Sequence, residues 1–532
     1  MQKLPVGIQS FADLRSNDYL YVDKTPFIHK LITTGKVFFL SRPRRFGKSL
    51  LVSTLEALFK GDKSLFEGLY IRDKYDWKEQ YPVIKLDWSV MKHTSEAEME
   101  KGLVFFLKQI AGEYNITLEQ EYALNCLSEL LRGLHQKTGR QAVVLVDEYD
   151  MPILDALREP AEKIESIRDF LQSFYRVLKA ADEHLRFVFL TGVSKFSKVS
   201  IFSGLNNLRD ISLDTDYAAV CGYTQEELER YFEPYIALFA QSERVSGEEI
   251  LKRIRHWYNG FSWDGRSFVY NPFSTLLLFS SRVFKNYWFE TGTPAFLVNL
   301  IKERNEVKLV LEPCQMQDTE FSSFDYTALS TKLLMFQTGY LTIKQIKKDF
   351  FGDGVIYILG VPNEEVRQSM LVYLTSSFTA YPLENSVTLR GRMLGQLFDG
   401  DISAFEQSMR ELFAHIPYQL HIPREAYYHS LFLLWLNLLG FNVQAEVATD
   451  KGRIDAVWTW EDRAVIAEIK YAPEGAVEPL LQDALNQIRK RRYHEGYIGT
   501  YKRIALLAIA FAGKEAACRM TELETLSSTQ DK

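Results

Sequence analysis

The chain has 532 residues, more than one hydrophobic core normally organises, so several domains are expected. Its net charge of −6 excludes a global electrostatic attraction to nucleic acid, and any such contact must come from local basic segments. The four cysteines lie far apart without CxxC spacing, which argues against a structural zinc site and against a secreted disulfide framework.

Hydrophobic patterning gives an expectation about location. The amino-terminal sequence lacks the continuous apolar stretch of a signal peptide. The longest apolar run, residues 431–439, is about half as long as a membrane-spanning helix. We therefore expect a cytoplasmic protein without membrane contact.

The first strong pattern along the chain is a strand followed by a helix. Val37–Leu40 is an apolar run typical of a buried strand, and Ser49–Phe59 has apolar residues at helical spacing. The aromatic-rich segment 1–36 precedes them and has two interpretations. It either forms a wall against a nucleotide base or packs as a helix on the edge of the sheet.

The connection between this strand and helix contains a phosphate-binding pattern. Gly47 lets the backbone approach a phosphate, Lys48 reaches the β- and γ-phosphates, and the Ser49 hydroxyl can hold Mg²⁺. The loop opens a helix N-terminus, where unpaired N–H groups favour an anion. Arg42, however, stands where the Walker pattern has a glycine.

Further apolar runs alternate with long helical patterns. Strands are predicted at residues 83–86, 142–146 and 187–190, and helices at 95–113, 118–136 and 162–182. This alternation is typical of an α/β fold with a parallel sheet covered on both faces. Ligands bind beyond the carboxyl ends of such strands. Thr191, at one of these ends, would contact the γ-phosphate or be an ordinary polar residue.

Two acidic residues follow the strand predicted at 142–146. Hydrolysis of a phosphoanhydride requires charge neutralisation, a metal ion and a group that orients water. Lys48 and a Mg²⁺ bound through Ser49 would supply the first two, with Asp147 positioning the water shell of the metal. Glu148 would be the water-activating base. The alternative is an acidic, solvated turn after a strand.

The middle of the chain carries fewer chemical signals. Residues 195–222 are predicted as loop, 222–301 as a helical lid or adaptor, and 302–390 as mixed helix and strand without a motif. The predicted domains are therefore an ATPase-like domain, a helical adaptor, a connecting region and a carboxyl-terminal domain, at residues 1–221, 222–301, 302–390 and 391–532.

The carboxyl-terminal part is predicted as a helix, a three-stranded meander, a second helix and a final strand. Asp455 lies on one strand, and Glu468 and Lys470 lie on the next. Residues two apart on a strand share a face, so Glu468 and Lys470 are expected to point the same way. Two carboxylates can hold Mg²⁺, which activates water and stabilises a phosphorane, and Lys470 would hold the water or a phosphate oxygen.

Three other features flank this acidic pair. Glu425 stands at the start of the preceding helix and joins the acidic set. Residues 489–492 form the densest basic run in the chain; they either contact a nucleic-acid backbone or form a solvated helix end. His429 is interpreted as a packed core histidine.

Several motifs of residues 5–215 resemble those of the bacterial predicted AAA-ATPase-like family; they are YVDKT, RPRRFGKSL, VVLVDEYD, LTGVSKFS and NNLRDISL. The P-loop of that family reads RPRRFGKS, so Arg42 follows the family pattern and adds positive charge to the loop. The resemblance implies an ATP-binding fold of the ASCE type. The implied site residues are Lys48 and Ser49 on the phosphates, Asp147 and Glu148 as Walker B, Arg44 and Arg45 facing phosphate or a neighbouring subunit, and Arg209 as a candidate arginine finger.

The carboxyl-terminal arrangement resembles the PD-(D/E)XK nuclease superfamily, whose domain the same family pairs with this ATPase. The resemblance implies an α/β restriction-endonuclease-like domain that uses Mg²⁺, or Mn²⁺ in its place. Gln487 on the last helix matches a position where related nucleases carry a glutamine near the metal. The implied catalytic set is Glu425, Asp455, Glu468, Lys470 and Gln487.

Together these patterns predict an ATP-hydrolysing protein coupled to a Mg²⁺-dependent nuclease that cuts DNA rather than RNA, with a homo-oligomer as one state of assembly. Two alternatives remain open. One is a nucleotide-switched regulatory or DNA-binding module with an inactive nuclease fold. The other is a motor or clamp on DNA in which only the ATPase acts.

Overall fold

The computed structural model describes residues 1–91, 95–156, 159–194, 202, 205–288, 295–304, 306–322, 330–348, 354–379, 392–393, 395–396, 401–414, 425–438, 441, 443–449, 451–460, 462–512 and 515–524. The chain divides into two compact units: unit 1 is Met1–Gly292 with Pro313–Val366, and unit 2 is Thr293–Glu312 with Arg367–Lys532. Among the described residues, no helix is long and apolar enough to cross a membrane.

A five-stranded parallel sheet organises the first part of unit 1. Its strands are β1 (Val37–Ser41), β2 (Val83–Asp87), β3 (Ala142–Asp147), β4 (Leu185–Gly192) and β5 (Arg209–Asp210), in the order β2-β3-β4-β1-β5. The helices of this part are Phe11–Ser16, Thr25–Thr34, Lys48–Lys60, Glu96–Glu113, Ala123–Thr138, Met151–Ala156 and Ala161–Ala180. Strands β1 and β3 are buried along their whole length, as apolar runs of parallel strands require. The predicted α/β class is confirmed.

The rest of unit 1 combines helices with two small antiparallel sheets. Its helices are Gln225–Tyr231, Glu233–Glu243, Gly247–Tyr258, Pro272–Ser281, Asp318–Ser322 and Thr331–Thr338. A hairpin pairs β6 (Asn259–Phe261) with β7 (Val269–Tyr270), and a second sheet has the order β8 (Cys314–Gln317), β10 (Val355–Gly360), β9 (Thr342–Lys348). Leu20 and Val22 share a core with Phe232, Tyr258 and Phe279, so the amino-terminal segment packs on the helical region.

One helix, Glu364–Thr379, has residues in both units, because unit 1 ends at Val366 and unit 2 resumes at Arg367. The division into four domains predicted from the sequence stays a prediction.

Unit 2 is built on a mixed five-stranded sheet. Its strands, in spatial order, are β11 (Val443–Thr449), β12 (Gly452–Trp460), β13 (Arg463–Ala472), β14 (Arg503–Ala512) and β15 (Glu515–Glu524). Strands β13 and β14 are parallel, and the other neighbours are antiparallel. The helices are Ala295–Glu303, Lys308–Leu311, Ile402–Ala414, Glu425–Leu438 and Val477–Lys490. The predicted order of helix, meander, helix and strand is confirmed, and β15 is an additional edge strand.

Candidate nucleotide cleft and acidic site

The predicted phosphate-binding loop lies at the carboxyl end of β1. Gly47 has a left-handed backbone (φ of 92°), and the helix Lys48–Lys60 begins directly after it. An L side chain rarely adopts this conformation, which explains the glycine. Among the described residues no side chain caps the first N–H groups of this helix. Its N-terminus is therefore suited to an anion.

The sheet brings Lys48 and the predicted Walker B residues together. Lys48 is buried; its Nζ donates a hydrogen bond to the carbonyl of Pro43 at 3.3 Å and lies 3.6 Å from a carboxylate oxygen of Glu148. Glu148 directly follows β3 and has a left-handed backbone (φ of 49°). This geometry turns its carboxylate towards the loop at the end of β1.

Asp147 is the buried member of the acidic pair. Burial raises its pKa to about 6, and the nearby carboxylates of Glu148 and Asp87 add to the effect, while a hydrogen bond from Ser49 and the charge of Lys48 oppose it. Hydroxyl and carboxylate oxygens are the hard donors that Mg²⁺ prefers. The donor set of Ser49 and Asp147 therefore fits this metal.

A cleft of about 400 Å³ opens over the loop. Its polar side holds Arg44, Arg45, Gly47, Lys48, Ser49, Asp87, Ser89 and Glu148. The rest of its lining is mostly apolar and comes largely from two segments of unit 1 that are distant in sequence: Pro5, Gly7, Ile8 and Gln9 precede the sheet, and Tyr223, Pro272, Phe273 and Leu276 follow it. Local sequence patterns contain no signal for the second group, since these four residues belong to a region predicted only as helical and carry no motif.

Arg42 does not add charge to the cleft, contrary to the expectation from its sequence. It is fully buried, and its guanidinium donates to the carbonyls of Ser41, Ser212 and Tyr217 at 2.9, 2.8 and 3.1 Å. The same group lies 3.9 Å from the ring centroid of Trp263, and burial lowers its pKa to about 10. Arg42 therefore anchors the end of β1 to later parts of unit 1.

Arg44 and Arg45, unlike Arg42, line the cleft. Arg45 has a left-handed backbone (φ of 69°), and its guanidinium lies 4.5 Å from the ring centroid of Phe273. The indole N–H of Trp288 donates to the backbone carbonyl of Arg44 at 3.3 Å. The loop is thus held by aromatic residues of the helical region.

Three other predicted residues are not part of the cleft lining, as far as the described residues define it: Asp147, which is buried, Thr191 and Arg209. Thr191 is buried in the sheet, where its hydroxyl donates to the carbonyl of Leu40 at 2.9 Å. Arg209, the candidate arginine finger, forms an ion pair with Asp214 at 2.8 Å.

Unit 2 brings the predicted acidic residues together. Ala456 of β12 pairs with Ala467 of β13, so Asp455 and Glu468 lie side by side on neighbouring strands. A carboxylate oxygen of Asp455 accepts the backbone N–H of Ile469 at 2.8 Å. His429 is partly buried, with its Nε2 3.0 Å from the carbonyl of Asp455.

Glu468 is the centre of this site. Its side chain is 1% exposed, and one of its oxygens lies 3.0 Å from the ammonium of Lys470. The amide of Gln487, on the helix Val477–Lys490, donates to the same oxygen. Glu468 and Lys470 therefore lie on one face of β13, as their spacing predicts.

The metal-binding capacity of the acidic site rests on two residues. Asp455 and Glu468 supply carboxylate oxygens, which fit Mg²⁺ or Mn²⁺. The side chain of Glu425, at the start of the helix Glu425–Leu438, lies outside the described residues. Within the described part of the chain, no group of three or more His, Cys, Asp or Glu residues is arranged to hold a metal ion.

A basic groove of about 1140 Å³ adjoins Gln487. Its lining is Lys451, Gly452, Arg453, Asp483, Asn486, Gln487, Arg489, Lys490, Arg491 and Tyr493. Arg491 donates to the carbonyl of Lys451 at 2.7 Å and so joins the β11–β12 turn to the end of the helix. Arg492 instead pairs with Glu495.

Comparisons with known proteins agree with this architecture. The model of the predicted AAA-ATPase family matches residues 5–202, and a model of the PD-(D/E)XK nuclease superfamily matches residues 423–520. The chain is 41% identical over 521 residues to a protein of Azotobacter chroococcum mcd 1 described as "Uncharacterized protein in vnfD 5'region", and the match covers 96% of each chain. The chain belongs to the predicted AAA-ATPase family and carries a carboxyl-terminal domain of the PD-(D/E)XK nuclease superfamily.

Proposed function

We propose that this protein hydrolyses ATP in the cleft of unit 1 and cleaves phosphodiester bonds of DNA at the acidic site of unit 2, with Mg²⁺ at both sites. The observation that carries the nuclease proposal is the convergence of Lys470 and Gln487 on the buried carboxylate of Glu468, beside Asp455. This arrangement joins two strands and a helix around one acidic pair.

Four polar residues in the cleft or buried next to it have proposed roles. Lys48 would bind the β- and γ-phosphates, and Ser49 and Asp147 would hold Mg²⁺, which would supply further positive charge to neutralise the phosphates. Glu148 lies 3.6 Å from Lys48. A bound phosphate would compete with Glu148 for this ammonium and leave the carboxylate available to orient a water molecule.

The apolar side of the cleft is suited to the nucleotide base. Tyr223, Phe273 and Leu276 offer flat or aliphatic surface, and Ile8 adds to it from the amino-terminal segment. Small-molecule sites are lined mostly by apolar side chains with a few polar groups that fix orientation. This supports the interpretation of the amino-terminal segment as a wall against the base.

At the acidic site, Asp455 and Glu468 would hold the metal, whose chemistry there would be the activation of a water molecule. Lys470 would orient that water or a phosphate oxygen. The groove beside Gln487 is lined by five basic side chains, Lys451, Arg453, Arg489, Lys490 and Arg491. Such side chains bind phosphates independently of sequence, and this supports binding of a nucleic-acid backbone.

The test is incubation of the full chain with supercoiled plasmid, linear duplex DNA and single-stranded RNA. Each substrate is combined with Mg²⁺, Mn²⁺ or EDTA, in the presence and absence of ATP. We expect cleavage of DNA that requires the metal, together with release of phosphate from ATP. The Lys470→Ala protein should bind DNA and leave it intact.

Three results would contradict the proposal or redirect it. Absence of cleavage by the wild-type chain under every condition would overturn the nuclease assignment. ATP-dependent DNA binding without scission would instead support a nucleotide-switched binding module. Cleavage of RNA alone would overturn the choice of DNA.

A further inference from the structure

Glu365 is a buried carboxylate that holds two distant segments of unit 1. It is fully buried, and one of its oxygens accepts the hydroxyl of Ser274 at 2.9 Å and the backbone N–H of Trp288 at 2.9 Å. A buried carboxylate is costly unless donors compensate it. The positions of these two donors are therefore tied to the position of Glu365.

The same two segments contact Arg44 and Arg45 of the predicted phosphate-binding loop, which is called the nucleotide loop below. Trp288, whose backbone bonds Glu365, donates its indole N–H to the carbonyl of Arg44 at 3.3 Å. Phe273, the residue before Ser274, lies under the guanidinium of Arg45 at 4.5 Å. Two short paths thus join the loop to Glu365.

The path through Phe273 passes along a rigid helix start. Phe273 and Ser274 belong to the first turn of the helix Pro272–Ser281. The buried side chain of Asn271 caps this turn by accepting the backbone N–H of Ser274 at 3.1 Å. A shift of the Phe273 backbone therefore also moves Ser274, because both residues belong to this one capped turn.

Glu365 itself stands in the first turn of Glu364–Thr379, the helix with residues in both units. Asn363 fixes the start of this helix: its amide nitrogen donates to the carbonyl of Tyr258 at 2.9 Å, and its amide oxygen accepts the N–H of Val366 at 3.1 Å. Glu365, in the same turn, accepts hydrogen bonds from Ser274 and Trp288, so these contacts also fix the start of the helix.

We propose that Glu365 is a positioning residue that couples occupation of the nucleotide loop to the helix Glu364–Thr379. A phosphate offers Arg45 a charge-assisted, two-pronged hydrogen bond, which is stronger than its contact with an aromatic ring. Arg45 moves from Phe273 to the phosphate, and the released helix start changes its hold on Glu365. The inference rests on the proposed function in that the cleft must bind a nucleotide.

The test is hydrogen exchange of residues 364–379 in the full chain, with and without a non-hydrolysable ATP analogue. We expect a several-fold change of exchange rate in the wild-type chain when the analogue binds. In Glu365→Ala the analogue should bind equally well, measured by equilibrium titration, and the change at 364–379 should be lost. Glu365→Gln keeps an accepting oxygen and should restore part of it.

Glu364→Ala is the matched control, because it removes the same kind of side chain from the adjacent position, and it should respond as the wild type does. Ser274→Ala removes one donor and leaves Glu365 in place, and it should weaken the response. This variant replaces Glu365→Ala in the test if Glu365→Ala does not fold. Failure of the wild-type chain to bind the analogue would overturn the proposed nucleotide function. Two results would overturn the coupling role alone. One is binding of the analogue without any change in the hydrogen-exchange rate of residues 364–379. The other is a change of that rate in Glu365→Ala and Ser274→Ala as large as in the wild-type chain.

Discussion

The candidate nucleotide cleft and the candidate acidic site are assembled in different ways. The cleft takes its lining from segments that extend from Pro5 to Leu276. The acidic site takes its residues from β12, β13 and the helix that follows them, between Asp455 and Gln487. Distant segments can form a site whose geometry responds to a ligand, whereas adjacent strands give a geometry fixed by their register.

Burial of the charged pairs is also reversed between the two sites. In the cleft, the side chain of Lys48 is 3% exposed and that of Glu148 is 23% exposed. In the acidic site, the side chain of Lys470 is 18% exposed and that of Glu468 is 1% exposed. The cleft therefore offers an accessible acid next to a buried cation, and the acidic site an accessible cation next to a buried acid.

The largest effect is expected from Lys48→Ala. The substitution removes the buried cation that would bind the phosphates, and ATP hydrolysis should fall by about 100-fold or more. Phosphate release at saturating ATP measures this loss. Lys60→Ala, on the same helix and paired with Glu56 at its surface, should hydrolyse ATP at the wild-type rate. Equal rates for both variants would show that Lys48 has no part in the chemistry.

The corresponding change in unit 2 is Glu468→Gln. It removes the buried acid but keeps its shape, and DNA cleavage should fall by about 100-fold while ATP hydrolysis persists. Plasmid nicking over time gives the rate. The control is Glu474→Gln, an exposed carboxylate in the turn after β13. Retained cleavage by Glu468→Gln would remove the acidic site from the proposed mechanism.

A smaller effect is expected from Arg45→Ala. Loss of one charge-assisted contact to phosphate should raise the dissociation constant of ATP about tenfold, or ~1.4 kcal/mol. Arg42→Ala is the contrasting variant, because this buried side chain donates hydrogen bonds to three carbonyl groups. It should lower the melting temperature more than Arg45→Ala does. The reverse order of melting temperatures would contradict the assignment of Arg42 as an anchor.

The smallest effects concern the basic groove. The slope of log affinity against log salt is negative, and each of Arg489→Ala, Lys490→Ala and Arg491→Ala should make it less steep by about 0.9, the value for one neutralised phosphate. Titration of labelled DNA at several salt concentrations measures the slope. Arg503→Ala is the control, because the register of β13 and β14 places Arg503 beside Arg463, away from the groove. Unchanged slopes for all three groove variants would contradict backbone binding there.

Local sequence patterns predicted the elements that carry the motifs. Val37–Leu40 corresponds to β1, and the helix expected at 118–136 corresponds to Ala123–Thr138. These segments have strong periodicity or unbroken apolar runs, so neighbouring residues alone decide their structure. Strand β15 is not among the predicted strands because its buried apolar run is only three residues long, Ala516 to Cys518, and mostly polar residues follow it along this edge strand.

The contacts that complete the cleft could not be predicted from local patterns. Arg42 occupies the position of a Walker glycine, and its sequence predicted an extra positive charge in the cleft. Its guanidinium instead donates hydrogen bonds to buried carbonyl groups and contacts the ring of Trp263. Phe273 and Glu365 contact their partners across long sequence separations, and helical periodicity says only that such residues face inward. Register within one hairpin, by contrast, made the pairing of Asp455 with Glu468 foreseeable.

The most direct test of two separate active sites in one chain is a reciprocal assay. Phosphate release from ATP and scission of plasmid DNA are measured on the same preparations of wild type, Lys48→Ala and Lys470→Ala. We expect Lys48→Ala to lose ATP hydrolysis and Lys470→Ala to lose scission while it still hydrolyses ATP. The account would be contradicted if Lys470→Ala still cut DNA. It would also be contradicted if a folded Lys470→Ala protein lost both DNA scission and ATP hydrolysis.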